Sequence, residues 1–186
     1  MKMDEEFEGV DEDTTEDVDK TVDYNKVLFT VANDRGWDEQ GILNFDNFRN
    51  QVGAVESNNI YDRLQGDSEK GIGRGAYQYE TSKGSGTNST AVTRLKKVLK
   101  DTGYDFSNLP KEDLAILRTE DPDFSKVSPP TQDLLFLADK LQHPTFAVND
   151  LAEGKLSPMD AWLDYHWSGS KKERPNKVAL WNRTFI

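Results

Sequence analysis

The chain has 186 residues, 34 of them acidic against 23 basic, for a formal charge of −11, with 35% hydrophobic and 31% charged side chains. That length holds one ordinary domain with its own core, and the acidity argues against nucleic acid as the main ligand, because phosphate binding needs a basic surface. There is no cysteine, and the only histidines are His143 and His166, so disulfides and thiolate metal sites are excluded, and neither a metal nor another cofactor is expected.

In chain order, the first element is a tail. Residues 1–20 hold ten acids against Lys2 and Lys20, a local charge of −8, which leaves only −3 for residues 21–186. With Phe7 as its only aromatic, this segment cannot bury enough apolar area to offset chain entropy. The expectation is an acidic disordered tail over 1–22 and one domain over 23–186. The tail reads as a solubilising segment, with docking to a basic partner such as another virion protein, or an electrostatic brake on the domain's own groove, as alternatives. The start Met1-Lys2-Met3-Asp4-Glu5 lacks a positive region followed by an apolar stretch, and no apolar run is long enough for a bilayer. Synthesis in the cytoplasm without a secretory signal or a membrane span is therefore expected.

Asp23 is positioned to cap a helix with Tyr24, Val27, Leu28, Val31 and Ala32 on one face, ending at Gly36. A second helix begins near Asn44, with Phe45, Phe48, Val52 and Val55 on one side, and runs into Glu56 before Ser57-Asn58-Asn59 stops it. Residues 60–90 are rich in Gly, Ser, Asn and Thr, which predicts a long functional loop with short strands around Ala76-Tyr77-Gln78-Tyr79. A third helix spans about Thr90–Thr102, with Gly103 beyond it. Ser128-Pro129-Pro130 starts an almost continuously apolar helix to Leu141, read as the central one. Ser157-Pro158 starts another, with Met159, Trp162, Leu163, His166 and Trp167 on one stripe and Gly169 at its end, and a short helix over Asn176–Trp181 follows. The class is mainly α.

At about 100° per residue, Glu56 falls roughly 20° from Phe45 and 40° from Val52 around its helix. Its carboxyl extends the apolar stripe at a helix C-terminus, where unpaired carbonyls repel negative charge and apolar neighbours remove water. Both effects raise a carboxylic pKa. A carboxyl held protonated near neutral pH is what glycosidic cleavage requires, because the sugar oxygen leaves poorly until a proton reaches it. Glu56 is accordingly the candidate acid. His166, inside the apolar stripe of its helix, reads as a core histidine.

The stretch Gly53-Ala54-Val55-Glu56-Ser57-Asn58, followed by Gly73-Arg74-Gly75-Ala76-Tyr77-Gln78, resembles the soluble lytic transglycosylase and goose-type lysozyme superfamily, over about residues 45–80. The resemblance implies a lysozyme-like helical domain with a Gly-rich loop or small β element. It also implies cleavage of the MurNAc-GlcNAc bond of peptidoglycan, by lytic transglycosylation or hydrolysis, with Glu56 as acid and Ser57 supporting it or contacting sugar. Gln78 and Tyr77 would take the places of the family's Gln and its preceding apolar residue, with Ala76-Tyr77 where the family has Leu-Met. The segment Trp162–Gly169 resembles cell-wall-degrading domains of phage virion proteins, which implies a phage-encoded lysin carried to the wall in a particle.

Tyr61, Tyr77 and Tyr79 are candidates to stack on sugar faces, or else to pack beneath the loop. Arg74 is a candidate for the carboxylates of peptide stems or lactyl groups, and Gly75 and Glu80 complete the expected substrate-binding set. A second carboxylate, needed at about 5–5.5 Å for retention or 6.5–9.5 Å for inversion, would come from Asp62, Asp67, Glu69 or Glu80. One glutamate suffices for a transglycosylase. The competing readings are a non-catalytic lysozyme-like structural or binding protein of a virion, in which Glu56 points away from a cleft or sits in a buried ion pair, and a partner-binding module acting through the tail.

Overall fold

The computed structural model describes residues 21–65, 73–80, 87–167 and 170–185. The acidic segment 1–20 lies outside the described residues, as do Asp67, Glu69 and Gly169. Among the described residues the chain is mainly helical: α1 (Tyr24–Arg35), α2 (Glu39–Ser57), α3 (Thr87–Asp101), α4 (Lys111–Leu117), α5 (Pro129–Leu141), α6 (Val148–Ala152), α7 (Pro158–Tyr165) and α8 (Arg174–Phe185). Two strands, β1 (Gly73–Arg74) and β2 (Tyr79–Glu80), lie between α2 and α3. No described helix is long and apolar enough to cross a membrane.

Local signals explain most boundaries. The Asp23 carboxylate accepts from Lys26 N to start α1, and Gly36 closes it in the left-handed region at φ 69°. Helix α2 begins at Glu39, five residues before the expected Asn44, because Asp38 caps it by accepting from Gly41 N at 2.8 Å. Its first turn is held by packing: a Cβ at Gly41 would meet Trp37 and Ala152, and Asn44 donates to the Ala152 carbonyl at 2.7 Å. Asn58 ends α2 at φ 59°.

Helix α5 is the central element, with Leu134, Leu135, Phe136, Leu137 and Ala138 all buried. Ser128 does not cap it through its own side chain. The buried Asp113 carboxylate does so from α4, accepting from Ser128 N at 2.8 Å and from Thr131 Oγ1 at 2.6 Å. Phe48 from α2 lies against Phe136 and Phe146 with ring centroids 5.5 and 5.8 Å apart. Truncating such a ring to alanine removes about 3–5 kcal/mol. α3 runs along α5, and α2 packs on α6, α7 and α8.

The remaining boundaries shift by a few residues. α3 starts at Thr87, α7 ends at Tyr165 rather than carrying Trp167, and α8 is longer than the expected Asn176–Trp181. The short helices α4 and α6 were not expected, their apolar positions being too few to show a stripe. The strands flank Ala76–Gln78 instead of containing it: Gly73 pairs with Glu80 and Arg74 with Tyr79, and residues 75–78 form the turn. Gly75 has φ 74°, and a Cβ there would lie 2.3 Å from Gln132 Oε1. A side chain there would be strained at that φ and would displace the Gln132 amide that holds the turn, which favours glycine. Gln132 holds the turn by accepting from Ala76 N at 3.0 Å and donating to the Tyr61 and Val127 carbonyls.

Candidate functional site

Glu56 stands in the last turn of α2, on the stripe of the buried Phe45, Phe48 and Val52. It opens on a cleft of about 710 Å³ between α2, the β-hairpin, α3, α5, α7 and α8. The residue keeps part of its surface on the cleft. Its carboxyl is nonetheless stripped of most water, and this desolvation raises its pKa above the ordinary 4.5. One strong contact opposes the shift: Trp162 Nε1, from the buried face of α7, donates to Oε1 at 2.6 Å. The positive charges of Lys177 and Lys140 oppose it more weakly. Among the described residues no cation is ion-paired with Glu56. An acid in this setting is held in place yet remains able to keep its proton.

The floor of the cleft treats a second carboxylate in the opposite way. Asp139, on α5, pairs with Arg94 from α3 and with Lys140 Nζ at 2.9 Å, and accepts from Tyr79 Oη at 3.2 Å. Burial raises its pKa, but Lys140 and Arg94 overcome that and hold it at about 2. Lys140 is fully buried and also donates to the Tyr165 carbonyl at 3.1 Å. With both oxygens committed, Asp139 is a fixed charge and no free base.

His166 lies at the C-terminal end of α7 between Tyr79 and Phe136. Burial first, and then the charge of Lys140, pull its pKa down from 6.5 to about 3, so the ring is neutral. Its Nε2 is 2.9 Å from the Tyr77 carbonyl, which can only accept, so Nε2 carries the proton. The core role expected for His166 agrees with this geometry, and the ring also lines the cleft.

The expected site residues divide into two groups. Glu56, Tyr77, Gln78, Tyr79 and Glu80 line the cleft together. Ser57, Tyr61, Arg74 and Gly75 do not. Ser57 is buried, its Oγ donating to the Gly53 carbonyl at 3.1 Å and accepting from Ile60 N, so it finishes the helix and has no face toward a ligand. Tyr61 donates to Asp133 at 2.8 Å on the far side of Tyr77. Arg74 turns to Asp123, with Nε 3.6 Å from its carboxylate. Asp62 is exposed outside the cleft.

Tyr77 and Tyr79 are buried, so they serve as wall and not as open stacking platforms. The Tyr77 ring packs 4.4 Å from Phe136, while its hydroxyl donates to Asp133 at 2.5 Å and accepts from Arg49 at 3.3 Å. Gln78 takes φ 50°, uncommon for a residue with a Cβ, and its amide donates to the Gly75 carbonyl at 2.8 Å. That amide braces the turn.

Sequence reasoning missed Asp139, Lys140, Arg94, Trp167 and Lys177. One signal for the first two was present: Asp139-Lys140 continues the apolar run of α5 without a break, and a charge pair inside a buried stripe must be satisfied within the protein. No group of three or more His, Asp or Glu side chains suited to a metal occurs among the described residues. No protein-family model matches the chain, and neither a curated protein nor a solved structure gives a significant match.

Proposed function

We propose that the protein cleaves peptidoglycan glycan strands, with Glu56 as the single acid and base of a lytic transglycosylase or muramidase on a lysozyme-like scaffold, in keeping with a phage-borne lysin. The observation that carries this reading is a desolvated glutamate at a helix end, without an ion pair among the described residues, gripped by one indole N–H at 2.6 Å and open to a cleft. A purely structural carboxylate in the same cleft, Asp139, is paired with two cations.

The chemistry follows from that protonation state. Glu56 donates its proton to the glycosidic oxygen, the C1–O bond breaks, and positive charge develops on the sugar ring. The carboxylate so formed then takes the proton of the sugar's own 6-hydroxyl as that oxygen bonds to C1, which closes an anhydro ring and restores the acid. A water in place of the hydroxyl gives hydrolysis. Asp139 has no oxygen to spare for a covalent sugar intermediate, which favours the one-glutamate route.

The test is to incubate purified cell wall with the protein and with Glu56→Gln, and to identify the released muropeptides by mass. Anhydro ends that vanish in the variant support transglycosylation, and reducing ends that vanish support hydrolysis. Equal release by both proteins removes Glu56 from the chemistry.

A further inference from the structure

Trp167 and Lys177 border both the Glu56 cleft and a second depression of about 410 Å³ along α8, whose other walls are Glu173, Asn176, Leu180 and Arg183. The Lys177 ammonium lies 5.8 Å from the ring centroids of both Trp162 and Trp167. Trp162 is the residue that grips Glu56. Trp167 is half-buried and belongs to the lining of both cavities.

The charges here differ from those elsewhere in the cleft. Arg94 and Lys140 are paired with Asp139, and Arg174 with Asp164. Among the described residues no carboxylate lies within ion-pairing distance of Lys177 or Arg183. Glu173 stands in the same depression, where its carboxylate accepts from Ser170 N at 3.2 Å, so the two cations outnumber it and leave a local positive balance in a chain of charge −11. An indole at the junction supplies apolar surface to the face of a pyranose. A cation next to it supplies a partner for a carboxylate.

We infer that the junction of the two cavities is a subsite for a carboxylate-bearing saccharide, in which Trp167 meets the sugar face and Lys177, followed along α8 by Arg183, pairs with the acid group. The inference rests on the glycan-cleaving reading of Glu56 and specifies the kind of strand that Glu56 meets. It places on α8 the role that the sequence had suggested for Arg74.

Calorimetry with the Glu56→Gln protein, which cannot turn substrate over, separates the possibilities. Three probes are compared: neutral N-acetylchitotetraose, the alternating GlcNAc-MurNAc tetrasaccharide with free lactyl carboxylates, and the same tetrasaccharide carrying peptide stems. At least one carboxylate-bearing probe binds about tenfold more tightly than the neutral one, the size of one charge-assisted hydrogen bond. The tighter of the two identifies the source of the carboxylate.

Adding Lys177→Gln abolishes the preference by weakening the carboxylate-bearing probes more than the neutral one, whereas adding Trp167→Ala weakens all three alike. Equal binding of the three probes, binding of none, or a Lys177→Gln effect equal for all three overturns the subsite. Wall cleavage by the unaltered protein without any Lys177-dependent preference retires the subsite and leaves Glu56 in place. A Lys177-dependent preference in a protein that does not cleave wall retires the reading of Glu56 and leaves the subsite.

Discussion

The wall and the floor of one cleft hold two carboxyl groups under opposite rules. At the wall, Glu56 is desolvated at the end of α2 and receives one neutral donor, so its proton is retained above the ordinary range. At the floor, Asp139 is as deeply enclosed but faces Lys140 and Arg94, and its pKa falls to about 2. Burial pushes both upward, and the neighbouring cations decide the outcome. An enclosed carboxylate with matched cations serves the fold, whereas one without them is available for proton transfer.

On the glycan-cleaving proposal, the largest break in this contrast comes from removing the proposed proton donor. Glu56→Gln keeps an oxygen to accept from Trp162 yet cannot donate, and wall cleavage falls by about 10²–10⁴-fold, measured as muropeptide release. Next is Asp139→Asn, which leaves Lys140 buried without its counter-charge. Breaking a buried pair from one side removes about 3–5 kcal/mol, read as a fall in Tm of the order of 10 °C for a chain of this size.

Trp162→Phe sharpens the wall side. Loss of the donor to Oε1 raises the Glu56 pKa further, so the alkaline limb of the pH–rate profile moves up by about one unit, since 1.36 kcal/mol corresponds to one pKa unit. An unmoved limb would mean that Glu56 does not set it. His166 tests the floor: its neutral ring stabilises the fold fully above pH 6.5, and that contribution drains away as pH falls towards 3. Each uncompensated proton changes stability by about 1.4 kcal/mol per pH unit. His166→Gln therefore flattens the decline in Tm below pH 6.5.

The smallest effect has the opposite sign. Because the Glu56 pKa is raised on folding, its contribution to stability declines as pH climbs above the ordinary 4.5. Glu56→Gln consequently melts higher than the parent at pH 7, by about 2–4 °C for each kcal/mol recovered. It loses that advantage near pH 4.

Much of the helical frame was readable along the chain. Asp23, Gly36, Pro129 and Ser157 mark helix ends by local backbone chemistry, and the position of Glu56 on the Phe45–Val52 stripe follows from helical period alone. The loop tyrosines were harder to place. Tyr77 and Tyr79 look equally suited to a ligand or to the interior, and the choice depends on Asp133, Asp139 and Phe136, which lie 56 to 60 residues away. Arg74 was drawn off by Asp123 in the same manner.

Period, capping residues and turn chemistry act over a few residues, so the linear chain by itself determined a mainly helical domain with a glutamate at one helix end. Whether that carboxyl would keep its proton was decided in three dimensions. Trp162 reaches it across 106 residues, while Lys140 is drawn instead to Asp139. Solvation and charge pairing depend on distance through space, and sequence spacing carries no measure of it.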